Sequence, residues 1–394
     1  MNILIIPFHD WRKIIKEGFR TRDAHFIETL AKKGNAKKII INRPITLLEI
    51  LFKKKNKLIE GEIVYKKKGG FTLYKIQSNT YVIDYISKNI LQQIIKKYRW
   101  YVNTYSNHNY LSFIEECLTI LEVSEYCLLS QNVFAYKLSE KLKGNVKVFD
   151  AWDNFTKFKV YKEIQDEIEK GYTIYSKCSN FWITNAKENV FFFKEKFNPK
   201  EIHLVPNGVD LNRFITKETS NVPEDMANIK RPIAGFGGKI TQLLDTGLIN
   251  KFIEDTPNVS FVFVGQLLDK EVFNKIKKRP NFHYLGDKHY DTYPKYVKNF
   301  DICIVPYVTK EEQKSGANSI KVYEYLATGK KIIGTFGNGL ENLKEYLYLV
   351  KNANDFSREL QQFENKKDKI NLSDHSWKNR VDSLIEFIEN EANN

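Results

Sequence analysis

The sequence predicts an α/β protein of two domains, each a mostly parallel sheet wrapped by helices. Three observations carry that expectation. Short β-branched or aromatic runs alternate with longer amphipathic segments almost from end to end, which is how buried parallel strands and their crossover helices read. The chain has 394 residues, more than one ordinary core organises and enough for two domains of similar size. A polar stretch at 216–231, with Pro223 inside it and Pro232 beside it, interrupts the rhythm near the middle before the rhythm restarts.

The elements follow in order. The apolar run at 3–8 stops at His9, Asp10 and Arg12, so it reads as a first buried strand and not as a signal peptide or a membrane span. Helical spacing at 22–33 leads to a strand at 38–41. Residues 62–76 depart from the alternation and read as a hairpin around Lys68, Gly69 and Gly70, an insertion in the domain. Strands then fall at 126–129, 146–149, 181–184 and 202–205, with a helix at 187–196. In the second half strands are expected at 232–236, 259–264, 282–285, 302–305 and 331–334. A last helix at 376–390 carries Trp377, Val381, Leu384, Ile385 and Ile388 at three- and four-residue intervals, so one face must pack on something.

Composition narrows the function. Hydrophobic residues at 42% and charged residues at 28% describe a soluble globular protein and exclude a wholly disordered one. Cys117, Cys127, Cys178 and Cys303 form no close pair, which suggests neither a zinc site nor a disulfide framework and suits the cytoplasm. The net charge of +14 favours anionic ligands, nucleic acid or an anionic membrane face. Its lysines cluster early: Lys53, Lys54, Lys55 and Lys57, then Lys66, Lys67 and Lys68, then Lys96, Lys97 and Arg99 running into Trp100 and Tyr101. Either a solvated lysine-rich surface or a membrane-facing patch accounts for them.

The sharpest local feature runs from Ser315, Gly316 and Ala317 through Asn318, Ser319, Lys321 and Glu324 to Gly329. Asn318 or Ser319 as N-cap and Gly329 just past the end mark a short helix, whose first amides are open to an anion. Lys321 in the first turn opposes the helix dipole and precedes Glu324 in the less favourable order for a helical ion pair. A phosphate bound at that end would account for it. Glu324 lies about 7 Å along the axis from Ser319, comparable to the span from a pyrophosphate to the ribose hydroxyls of one nucleotide, where a carboxylate accepts two hydroxyl protons. The alternative is a solvated surface pair. Upstream, Gly235, Gly237 and Gly238 let the backbone come close to a sugar diphosphate that Lys239 can neutralise, or they make an ordinary tight turn. In the first half, Asp150 and Asp153 stand just past a strand, where a carboxylate orients a hydroxyl or caps a turn.

The segment ending at Gly329 resembles the Glu-bearing donor-site helix of the glycogen-synthase-like, group 1 (family 4-type) retaining glycosyltransferases of the GT-B fold. Further matches follow in the family's order. Val205, Pro206, Asn207, Gly208, Val209 and Asp210, with Phe214, resemble the end of the N-terminal domain. Gly235 to Ile240 with Asp245 resembles the glycine-rich turn opening the second domain, and Gly265 and Leu285 sit in strand ends similar to those lining the nucleotide. Ser376 and Trp377 resemble the segment that crosses back to the first domain. Two departures stand out: the family often has a second glutamate where this chain has Gly316, and of its pyrophosphate-clamping Arg and Lys only Lys239 is evident.

The resemblance implies a GT-B architecture of two Rossmann-like domains, an acceptor-binding one at 1–215 and a nucleotide-sugar-binding one at 216–375, with a helix at 376–394 crossing back. It implies a metal-independent glycosyltransferase that uses a UDP- or GDP-linked sugar, with no essential cofactor and no divalent ion. Gly237, Gly238, Lys239, Gly265, Leu285, Asn318, Ser319, Lys321 and Glu324 would hold the donor, and Asp150, Asp153, Lys239 and Lys321 would serve the reaction. His9, Arg20 and Arg22 would approach the acceptor. The expected partners are the nucleotide sugar and a glycan or lipid-linked acceptor, with peripheral contact to an anionic membrane at its cytoplasmic face. Two rivals remain: a nucleotide-sugar 2-epimerase of the same fold, and a basic nucleic-acid-binding protein, against which stands the lack of any recognition helix or RNA-binding motif.

Overall fold

The computed structural model describes residues 1–52, 58–215, 221–309, 318–362 and 370–393. The chain forms two compact units, Met1–Pro206 with Val381–Asn394, and Asn207–Arg380. The division falls ahead of the polar stretch because the chain from Asn207 is already bonded into the second unit. The Asn207 N–H donates to Asn318 Oδ1 at 2.7 Å, Val209 to the His375 carbonyl at 2.9 Å, and Trp377 to the Val209 carbonyl at 3.1 Å. Residues 216–220 of the expected linker lie outside the described residues, and Met226 beyond them is buried.

In the first unit the strands are β1 (Asn2–Ile6), β2 (Lys38–Ile41), β3 (Ile45–Thr46), β4 (Glu62–Lys67), β5 (Phe71–Gln77), β6 (Thr80–Ser87), β7 (Tyr126–Ser130), β8 (Val146–Asp150), β9 (Phe181–Thr184) and β10 (Ile202–Leu204). They order as β10-β9-β8-β7-β1-β2-β6-β5-β4, with β3 beside β6. From β10 to β6 every pairing is parallel, while β6–β5 and β5–β4 are antiparallel. Central strands read as unbroken apolar runs because both faces are covered: Leu4, Ile5 and Ile6 are fully buried. The expected hairpin at 62–76 forms as β4 and β5, and it makes the antiparallel edge of the main sheet, joined through β6.

The helix Trp377–Ala392 is shared: its start counts with the second unit and Val381 onward with the first. There Phe387 stacks on His203 at 4.2 Å and lies 6.2 Å from Phe181, and Val381, Leu384 and Ile388 are fully buried. This is the amphipathic face that the spacing requires.

The second unit holds β11 (Ile233–Gly237), β12 (Ser260–Val264), β13 (Phe282–Tyr284), β14 (Ile302–Val305), β15 (Lys331–Thr335) and β16 (Tyr348–Val350). All pair in parallel in the order β13-β12-β11-β14-β15-β16. The order reverses between β11 and β14, and ligands of open α/β sheets bind outside the carboxyl ends of the strands at such a switch point.

Candidate functional site

At that switch point the backbone is stripped of side chains. A Cβ on Gly265 would stand 1.9 Å from the Gly238 carbonyl oxygen, and one on Gly238 would stand 2.5 Å from Lys321 Cε and 2.6 Å from its Nζ. The ends of β11 and β12 and the first turn of the helix Ile320–Ala327 therefore meet with only glycine between them. Gly238 N–H donates to the Val264 carbonyl at 2.8 Å, Gly265 N–H to that of Gly286 at 2.9 Å, and Gly237 N–H to the Tyr325 hydroxyl at 2.7 Å. Leu285 bonds back to Phe263 at 3.0 Å, and Lys239 is exposed on the loop past Gly238.

Lys321 sits inside this junction. Its ammonium donates to the Tyr307 hydroxyl just past β14 and lies 4.9 Å from the ring centroids of both Tyr307 and Phe236. Ser319 takes the N-cap position without a side-chain bond to the helix, and Gly329, with φ of 67°, follows its end in the left-handed conformation. Asn318 has another task than capping: its Oδ1 accepts from Asn207 and its Nδ2 donates to the Tyr323 hydroxyl at 2.7 Å. Ser315, Gly316 and Ala317 lie outside the described residues.

Glu324 is not one half of a surface pair. It is 3% exposed, and Tyr290 donates its hydroxyl to Oε1 at 2.6 Å. Tyr290 is itself buried, stacks on Tyr293 at 6.1 Å, and carries Arg213 over its ring at 5.0 Å. Arg213 is fixed by Asp210 at 3.0 Å and Asp291 at 2.6 Å. Burial pushes the Glu324 carboxyl up to about 7, although the Tyr290 hydrogen bond and the Lys321 charge pull the other way. Tyr290, Tyr307 and Arg213 were not legible in the sequence. They come from separate segments, and no local pattern singles them out.

The first unit assembles a different set. Arg22, expected at the acceptor, and Asp150, expected to serve the reaction, bond each other: Arg22 Nε donates to Asp150 Oδ2 at 2.9 Å and Nη2 to Oδ1 at 3.1 Å, with both residues buried. Gln131 Nε2 adds a bond to Asp150 at 2.8 Å, and Arg22 Nη1 reaches the Pro206 carbonyl at 3.3 Å. A buried charge needs such a partner. Arg20 likewise pairs with Glu17 at 3.0 Å. Asp153 is half-buried, and its carbonyl accepts from the Tyr172 hydroxyl at 2.9 Å. His9 makes a dyad that the sequence reading missed: its Nδ1 is 3.0 Å from Asp23, whose Oδ2 also accepts the His9 N–H at 2.8 Å. Burial raises the Asp23 carboxyl, but His9 and the Thr21 hydroxyl outweigh it and hold the group well below the usual carboxylate range.

Behind this loop Asp10, Arg12, Asn42 and Asp84 form one buried network. Arg12 holds Asp84 at 2.6 Å and 3.0 Å, and Asn42 Nδ2 donates to Asp84 at 2.8 Å and to Asp10 at 3.1 Å. It pins the segment after β1 to the end of β2 and to β6. Trp100 and Tyr101, grouped by sequence with the exposed lysines, are buried, with the Tyr101 hydroxyl on Glu49 at 2.9 Å. Among the described residues no cluster of three or more His, Cys, Asp or Glu is placed to hold a metal ion, and no helix is long and apolar enough to cross a membrane.

No family model matches the chain. A Bacillus subtilis protein described as a teichuronic acid biosynthesis glycosyltransferase, TuaH, is 27% identical over 138 residues, which are 34% of this chain and 34% of that protein. The match thus spans about a third of the curated relative. Among solved structures, the trehalose-6-phosphate synthase OtsA aligns with a TM-score of 0.67 at 8% identity over 99% of both chains. A UDP-GlcNAc 2-epimerase from Neisseria meningitidis, bound to UDP-GlcNAc, aligns at 0.54 and 13% identity over 99% of this chain and all of its own. At such identities the likeness is one of fold: two Rossmann-like units with parallel sheets, the GT-B fold of the glycosyltransferases.

Proposed function

We propose that the chain is a glycosyltransferase that moves a sugar from a nucleoside diphosphate sugar, UDP- or GDP-linked, to an acceptor hydroxyl. The observation that carries this reading is the junction of Lys321, Gly238 and Tyr307 at the switch point of the second sheet, with buried Glu324 one helical turn further on. A diphosphate at that junction meets the first amides of the Ile320–Ala327 helix, including those near Asn318 and Ser319, and the charges of Lys321 and Lys239. Glu324 takes the ribose hydroxyls. As the sugar C1–O bond breaks, charge grows on the leaving diphosphate, and these donors stabilise it. The acceptor oxygen bonds to C1, and its proton passes to the departing phosphate oxygen, so retention requires no protein nucleophile. No step needs a divalent ion.

On the first unit, His9 held by Asp23, together with Asp153, faces the acceptor, while the Arg22–Asp150 pair positions the surrounding loops. The acceptor is a growing glycan on a lipid carrier at the inner face of the membrane, in the assembly of cell-surface polysaccharide. The description of the TuaH relative as a glycosyltransferase of teichuronic acid biosynthesis supports that setting. A thermal-shift panel of UDP, GDP, ADP and their sugars tests the donor. A ligand at a hundred times its Kd adds about 2.7 kcal/mol to the native state, and a panel in which nothing raises the Tm refutes the reading.

The fold-level match to an epimerase supports a second reading, isomerisation at C2 of a nucleotide sugar. Incubation of UDP-GlcNAc in deuterated water without acceptor separates them: an epimerase installs a deuteron at C2, a transferase does not.

A further inference from the structure

The helix Ile90–Lys96 has four aliphatic residues among its seven, yet none of its residues is buried. Leu91 is 72% exposed, Ile94 56% and Ile95 73%. On the neighbouring helix Leu47–Phe52, Leu51 is 72% exposed and Phe52 80%. The two helices are joined through their polar sides. Gln93 Nε2 donates to Glu49 Oε1 at 2.8 Å, the Thr46 hydroxyl bonds Gln93 Oε1, and Arg43 holds the other oxygen of Glu49 at 3.1 Å. Two residues along a helix turn through about 200°. Leu91 and Ile95 therefore face away from Gln93, and Leu51 away from Glu49. Polar groups are inside and aliphatic ones outside, the reverse of a helix that serves a globular core.

Folding gains nothing from such a face, and contiguous exposed apolar residues mark an interaction surface. The charges beside it are cationic. Residues 88–99 contain no Asp or Glu, and Lys88 and Lys96 flank the aliphatic face from exposed positions, while Lys97 pairs with Glu163 at 2.9 Å. Aliphatic side chains rimmed by ammonium groups suit the acyl boundary and the phosphates of an anionic bilayer. Position supports this too. Tyr98, just past the helix, lies 6.1 Å from Phe134, which lies 6.2 Å from Phe8, which lies 5.2 Å from the His9 ring. Three ring contacts thus connect the exposed face to the loop that bears His9.

We propose that the outward faces of the helices Leu47–Phe52 and Ile90–Lys96 are the surface on which the protein lies on an anionic lipid bilayer, bringing the His9 loop to the interface. This deepens, and rests on, the reading of a membrane-borne acceptor.

The full chain is sedimented at low salt with vesicles of phosphatidylcholine alone or mixed with phosphatidylglycerol. The wild type is expected to bind the anionic vesicles, bind the neutral ones less, and be released by salt. Each aliphatic side chain that enters the bilayer is worth about tenfold in partition, so L91E/I95E should lose about a hundredfold. K88E/K96E should lose binding to anionic vesicles alone. F191E, a change at a 72% exposed phenylalanine of another helix, is expected to bind as the wild type does. Wild type that ignores anionic vesicles overturns the proposal, as does L91E/I95E that binds normally or F191E that loses as much. A concentration-dependent dimer that L91E/I95E abolishes, without vesicle binding, assigns the face to a second copy instead. The nucleotide thermal shift, run in parallel, keeps the two readings apart: vesicle binding can fail while UDP or GDP still raises the Tm, and the reverse.

Discussion

Glu324→Gln should raise the stability of the second unit and weaken its donor binding, in the same protein and over the same pH range. The carboxyl is buried, and burial lifts it from its ordinary 4.5 to about 7. A raised acid favours the protonated form in the folded state. Its contribution is complete below pH 4.5 and is lost as pH climbs through about 7. At 1.36 kcal/mol per pKa unit, the wild type gives up about 3 kcal/mol between those limits. Glutamine keeps the acceptor for the Tyr290 hydroxyl but carries no charge to desolvate. At pH 8 the variant should therefore melt roughly 6 to 12 °C above the wild type, at about 2 to 4 °C per kcal/mol for a domain of this size. At pH 5 the two should melt together. The donor responds the other way. Ribose hydroxyls given to a carboxylate make charge-assisted bonds of about 1.5 to 3 kcal/mol, so the variant should bind nucleotide about ten- to a hundredfold more weakly at pH 8. Calorimetry at pH 5 and pH 8, with titration of UDP and GDP, reads both effects. Equal melting temperatures at pH 8 would refute the burial argument, and unchanged nucleotide affinity would refute the ribose role.

Three further outcomes follow from the same contacts. Because the ligand's hydroxyls favour ionised Glu324, nucleotide binding at pH 7 should release a fraction of a proton, and its measured enthalpy should vary with the ionisation enthalpy of the buffer. Gly238→Ala and Gly265→Ala should differ in degree: the first, at a φ of 156°, meets the movable end of Lys321 and the Phe236 ring at 3.3 Å and should cost donor affinity together with some stability, whereas the second collides with a backbone carbonyl and should leave the second unit unfolded by circular dichroism. Arg22→Leu strands the buried Asp150 carboxylate and should lower stability by about 3 to 5 kcal/mol in denaturant titration. Arg22→Leu with Asp150→Leu should recover part of that loss, and a double variant no better than the single would refute the pairing account.

The sequence by itself settled what is local. The alternation of apolar runs and amphipathic segments gave both Rossmann-like sheets, with β9 at Phe181–Thr184 and β14 at Ile302–Val305 as expected. The short helix before Gly329 was legible from its C-terminal end, because a left-handed residue is imposed within a few bonds, although neither Asn318 nor Ser319 caps its start with a side-chain bond. β6 was not legible: in Thr80–Ser87 the buried Asp84 breaks the apolar run and reads as a surface position until Arg12 arrives to neutralise it. β16, at Tyr348–Val350, was not anticipated either.

Only the tertiary structure decided what each charged group does. Asp150 looks like a free carboxylate beside a strand, and Arg22 like a loop cation, until the sheet brings them together across the unit. Glu324 and Lys321 look like neighbours on a solvated helix until Tyr290 covers one and the Tyr307 and Phe236 rings flank the other. Periodicity records which way a side chain points. What meets it there depends on segments 14 to 128 residues away, and that meeting fixes what each charge is bonded to.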